Sequence, residues 1–177
     1  MRRFLPLTAL VLPLALTFCR DKSFNLVPVA NGAVTILDNC DSVSFNAALG
    51  PGTCVKAGTT TLSAFTAELT ATRQVTGWQF VPSTFTITTN GVINAFNSGG
   101  ELHTFTAVAA FGGGSNPAIN SLAGTPVEAP ECVNAAANQL IAPGATFTTS
   151  PVTTTGLHLY QCCIHPWMRA NVTVVNQ

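Results

Sequence analysis

Residues 160 to 168 read Tyr-Gln-Cys-Cys-Ile-His-Pro-Trp-Met and place thiol, imidazole and thioether donors on one short turn near the C-terminus. A soft thiolate and a thioether beside imidazole suit copper, whereas structural zinc sites use Cys and His and do not call on Met. Two His and one Cys in a trigonal set, with a distant axial Met, make a copper site suited to electron transfer. The turn lacks only the second His. The chain contains three, and His158 lies four residues before Cys162 on one strand-like run. A strand rises about 3.3 Å per residue, so about 13 Å separates them, too far for one metal. His103, in Gly99-Gly100-Glu101-Leu102-His103-Thr104, belongs to a different β-like segment that a fold could bring beside the turn. The expected metal set is therefore His103, Cys162, His165 and Met168.

Two adjacent cysteines compete for the ligand role. Strand side chains alternate, so Cys162 shares a face with Tyr160 while Cys163 points the other way. If Tyr160 marks the inner face, Cys162 looks inward and Cys163 is free for a disulfide. Pro166 fixes one backbone torsion of the turn and removes an N–H that could otherwise donate to sulfur.

The elements that must position these donors read as β-strands. Residues 64–72 alternate Phe65, Ala67, Leu69 and Ala71 with Thr66, Glu68, Thr70 and Thr72, the period of a half-buried strand. Further runs rich in Thr, Val, Phe and Ile follow at 78–81, 84–89, 92–96, 102–107, 145–149, 157–162 and 171–175, separated by Gly, Pro and Asn turns. Short strands with few helix signals predict an all-β sandwich. A long irregular stretch occupies 112–144, and only its 132–140 portion, with Ala135, Ala136 and Ala137, reads as a short helix. Residues 20–62 carry many turn residues and too few apolar ones for a core of their own, which predicts a disulfide-pinned N-terminal extension ahead of a domain at 63–177.

Arg2 and Arg3 followed by the apolar run Phe4 to Leu16 read as a secretory signal over residues 1–19. Export to the periplasm or cell envelope, or secretion, is expected. Cys19 follows Leu16-Thr17-Phe18, a lipoprotein-like box with Phe18 where a small residue belongs, and membrane attachment would require a lipid there. Without residues 1–19 the chain keeps five Lys/Arg and seven Asp/Glu, a net charge of −2 that is unsuited to nucleic acid and too small to steer a partner. An oxidising compartment lets the remaining cysteines pair. Spacing does not fix connectivity, but context pairs Cys40 with Cys54 around Gly50-Pro51-Gly52, and Cys132 with Cys163.

The residues Tyr160-x-Cys162-x-x-His165-Pro166-x-Met168, the following Val172-Thr173-Val174 and the upstream Gly-Glu-Leu-His103-Thr resemble the cupredoxins, the blue copper proteins that include plastocyanin, pseudoazurin and amicyanin. The turn length is most similar to that of amicyanin, and the resemblance covers about residues 62–177. It implies a Greek-key β-sandwich with one type 1 copper at one end, with His165 partly exposed as the electron port. It also implies an exported monomeric electron carrier that is not an enzyme, has no small-molecule substrate, and docks a redox partner near His165 and Trp167. The alternative is copper binding or delivery on the same fold without electron transfer. Cys163 and Thr104 depart from the family pattern, where a small or polar residue and an Asn are common. The Thr104 backbone N–H remains able to donate to the Cys162 sulfur. His158 is expected as a hydrogen-bonded core residue, Trp78 as packing, Glu101 as a solvated loop carboxylate, and the sequon at Asn171 as a strand segment without a role.

Overall fold

The computed structural model describes residues 29–133 and 139–177. The signal segment and Cys19 lie outside the described residues, as does most of the expected 132–140 helix. Among the described residues no helix is long and apolar enough to cross a membrane.

Among the described residues, eight strands form two four-stranded sheets. One runs β2 (Gln79–Val81), β1 (Gly32–Leu37), β4 (Ile93–Asn97), β6 (Thr146–Thr148); the other runs β3 (Thr84–Thr88), β8 (Arg169–Val175), β7 (Gly156–Gln161), β5 (Thr106–Val108). Both sheets are mixed: β1 pairs parallel with β4 and β3 parallel with β8, and the other pairings are antiparallel. Of the consecutive strands only β1 and β2 and the β7–β8 hairpin stay in one sheet. Every other connection crosses between sheets, which is Greek-key wiring of an all-β sandwich.

The core follows strand alternation. Val34 and Ile36 of β1, Ile93 and Ala95 of β4, and Ala170, Val172 and Val174 of β8 are buried, while intervening residues are more exposed. Phe105 stacks on Tyr160 with centroids 4.5 Å apart, so Tyr160 does mark the inner face.

Two segments fold differently from the sequence expectation. Residues 62–72 are not a strand but helix α2 (Leu62–Thr72). Thr61 caps it by accepting from the Ala64 N–H, and buried Phe65 and Leu69 stand four apart on one helical face. The threonines that suggest a strand instead turn their hydroxyls back onto carbonyls four residues earlier, Thr66 to Leu62, Thr70 to Thr66 and Thr72 to Glu68. The segment read as an N-terminal extension also supplies β1, an interior strand between β2 and β4. Its apolar residues join the sandwich core, so they need no core of their own. Helix α1 (Ser42–Leu49) follows, capped by Asp41.

The 112–144 stretch holds α3 (Pro117–Ala123) and a 3-10 turn (Pro130–Cys132). Asn116 as cap, Pro117 in the first turn and Gly124 in the left-handed region at the end explain α3.

Candidate metal centre

The C-terminal turn leaves β7 at Gln161 and enters β8 at Arg169. Two backbone bonds shape it: the Cys162 N–H donates to the Met168 carbonyl at 3.0 Å and the Met168 N–H to the His165 carbonyl at 2.9 Å. Cys163 is held separately. Its N–H donates to Thr104 Oγ1 at 2.8 Å, and its carbonyl accepts from the Ser115 N–H at 2.7 Å and the Ser115 hydroxyl at 3.1 Å. A Cβ at Gly114 would overlap the Cys163 carbonyl, so the long loop approaches this closely only because residue 114 is glycine.

His103 comes from the loop between β4 and β5, outside any strand; the expected strand at 102–107 is confined to Thr106–Val108. A bridge fixes the loop, with His103 and Ile141 exchanging both backbone hydrogen bonds at 3.2 and 2.8 Å. Behind it Asn97, fully buried at the end of β4, donates to the carbonyls of Glu101 and Ile141, each at 2.8 Å, and accepts from the Gly99 N–H.

These supports bring His103, Cys162 and His165 together, with their ligand atoms within 4.8 Å of one another. Nδ1 of each histidine lies 3.8 Å from Cys162 Sγ. Donors bound about 2.0 and 2.3 Å from one ion at near-trigonal angles stand about 3.7 Å apart, so the triangle fits a metal. The Thr104 N–H points at the same sulfur from 3.4 Å. Cys162 is the free cysteine among the described residues, and Met168, 1% exposed, closes the turn in the same core cluster.

The electrostatics favour a thiolate. Burial works against charge on Cys162, but the adjoining imidazoles outweigh it and hold the thiol well below its ordinary value. Burial likewise disfavours a charged His103, yet the Asp38 and Cys162 hydrogen bonds push it up to about 9. Desolvation raises Glu101, with His165 and Trp78 opposing.

Several residues sit where the sequence did not put them. His165 is 2% exposed rather than a partly open port, because Phe65 of α2, Trp78 and Trp167 surround its ring at centroid distances of 6.4, 6.5 and 5.5 Å. Glu101 is buried, not solvated, and accepts from Trp78 Nε1 at 2.6 Å. Asp38, at the exit of β1, bonds His103 Nε2 at 2.9 Å and had no sequence signal, since the relation spans two distant segments. His158 is half-buried on β7, bonded to the Thr154 carbonyl at 2.9 Å, and is neither core nor ligand. Asp38, Cys40 and Glu101 also cluster, but the Cys40 sulfur is engaged with Cys54, which removes it as a thiolate donor. The bridges are Cys40–Cys54 and Cys132–Cys163, the pairing that context suggested.

No known family's sequence pattern matches the chain, and no curated protein matches it. Among solved structures it is similar to a purple cupredoxin from Nitrosopumilus maritimus, at 14% identity over 81% of this chain and 99% of that one, with a TM-score of 0.45. It is also similar to oxidised plastocyanin from Dryopteris crassirhizoma, at 19% identity over 55% and 88% of the two chains with a TM-score of 0.37. A Cu(I) amicyanin variant gives 14% identity over 54% and 72%, with a TM-score of 0.37. What the site can hold is decided by its own donors.

Proposed function

We propose that this chain is a cupredoxin-like, mononuclear type 1 copper protein that is exported and carries single electrons between redox partners. The supporting observation is the buried triangle of Cys162 Sγ and the two Nδ1 atoms, each 3.8 Å from the sulfur. Cys162, His103 and His165 would hold the ion, with the Met168 thioether as a weak further donor, and copper bound there would supply a one-electron couple.

The protein's own part is to fix and dry the site. Hydrogen bonds from Thr104 to sulfur and from His103 to Asp38 hold the donors in one arrangement whether or not charge changes. Phe65, Trp78 and Trp167 exclude water from the His165 side. With His165 sealed, a redox partner docks over the partly buried Trp167 that contacts it, and electrons cross that aromatic contact. Copper delivery is the weaker reading, because cargo must be handed over and these donors are enclosed. Two native disulfides fit an oxidising compartment.

The deciding experiment is Cu(II) titration of the purified mature protein. An intense visible thiolate-to-copper band is expected in the wild type and its absence from Cys162→Ser. A colourless wild-type complex refutes the electron-carrier reading.

A further inference from the structure

Each imidazole of the triangle has a carboxylate behind it. The Asp38 side chain is wholly buried and accepts from the Gly100 N–H at 2.7 Å, the Glu101 N–H at 3.0 Å, the Cys40 N–H at 3.3 Å and His103 Nε2 at 2.9 Å. Held from so many directions, this carboxylate cannot turn away from the ring. A Cβ at Gly99 would overlap it, so glycine there lets the loop fold over the acid. Donation from Nε2–H fixes the ring orientation and aims Nδ1 of His103 at Cys162 Sγ, the position from which it would bind a metal once the ion displaces its proton.

Glu101 repeats the arrangement from the other side. Its Oε2 lies 3.7 Å from His165 Nε2, within ion-pair range though beyond a hydrogen bond, and the Trp78 indole N–H aims it. Two acids from different segments therefore face the remote nitrogens of the two rings.

Resting on the copper reading above, we propose that Asp38 and Glu101 are positioning residues that orient the two imidazoles and bias the site toward Cu(II), giving it a lower reduction potential than the same donors would have alone. Oxidation adds one positive charge to a water-poor pocket, where attraction to fixed carboxylates is weakly screened. A carboxylate on the far ring nitrogen also makes the near nitrogen a better donor. Both effects favour the more highly charged ion.

The test compares copper-loaded wild type with Asp38→Asn and Glu101→Gln by spectroelectrochemistry, following the visible band. Each variant keeps an amide oxygen in the acceptor position and loses the charge. The visible band should persist, and the Cu(II):Cu(I) affinity ratio should fall at least tenfold, about 59 mV upward for one electron, with Asp38→Asn moving furthest. Potentials that stay put or move downward overturn the proposal.

A second measurement does not need copper or a folded variant. In the nitrogen-15 labelled wild-type apoprotein, His103 Nε2–H should appear as a downfield, slowly exchanging resonance, and its absence overturns the positioning role of Asp38. Should the wild type take up copper without colour while this resonance is present, the electron-carrier reading falls and the orientation of His103 stands.

Discussion

Removing the Cys132–Cys163 bridge separates what clamps the metal turn from what builds it. The bridge closes a 31-residue separation. In the chain-entropy treatment, such a loop restricts the unfolded chain by about 12 cal/mol/K, or about 3.7 kcal/mol at 25 °C. The 14-residue separation of Cys40–Cys54 gives about 3.0 kcal/mol by the same treatment. At about 2 to 4 °C per kcal/mol for a chain of this size, the double variant Cys132→Ser/Cys163→Ser should melt roughly 7 to 15 °C lower by calorimetry of the apoprotein. The turn itself should survive, because Cys163 remains bonded through its N–H to Thr104 and through its carbonyl to Ser115. Copper loading should therefore still give the intense visible band. A variant that melts with the wild type would refute the clamp. Loss of colour in a variant that remains folded at the temperature of the assay would refute the independence of turn and clamp.

Other expectations follow from single contacts. Asn97→Ala strands the Glu101 carbonyl and the Gly99 N–H in a buried site, while the Ile141 carbonyl keeps the His103 N–H, so at about 1 kcal/mol for each stranded group it should cost at least about 2 kcal/mol in urea unfolding; a cost below about 1 kcal/mol would mean that the loop reseats without it. Burial alone would raise the Asp38 pKa, but bonds from His103, Glu101 and Gly100 hold it well below the carboxylate range. A carboxylate depressed on folding stabilises the native state above its unfolded pKa of about 3.9 and loses that contribution as pH falls toward the folded value. The apoprotein's urea midpoint should drop below about pH 4, less steeply in Asp38→Asn, and equal slopes would contradict this origin. Phe65→Ala should cost about 3 to 5 kcal/mol through the cavity it leaves. It should also uncover His165 and speed oxidation of the reduced copper protein by ferricyanide in stopped flow; an unchanged rate would show that Phe65 is not part of the seal.

The grouping of His103, Cys162 and His165 was legible because it rests on local chemistry. Cys162, His165 and Met168 lie on one turn whose spacing is written in consecutive residues, and only one remote histidine, His103, stood in a segment free to reach them. The β7 and β8 strands were legible for a similar reason, since their alternation and the turn between them are local. Helix α2 was not. Its Thr and apolar residues alternate with period two over a short window, and the helix is decided by Thr61 capping and by Phe65 and Leu69 packing on one face, with the threonine hydroxyls accommodated on backbone carbonyls. Residues 20–62 looked too poor in apolar residues for a core because the partners of their strand β1, namely β2 and β4, are supplied from elsewhere in the chain.

By itself, then, the sequence determined which atoms could bind a soft metal, which cysteine was left over for a bridge, and that strands would carry them. Tertiary structure decided how wet the site is and what charge surrounds it. Asp38 reaches His103 across 65 residues, Glu101 turns inward because Trp78 supplies a donor, and α2 brings Phe65 over His165. Burial and second contacts are properties of chain segments meeting in space. No spacing along the chain encodes them, because the side chains involved behave as ordinary solvated or packing residues until the fold removes water from around them.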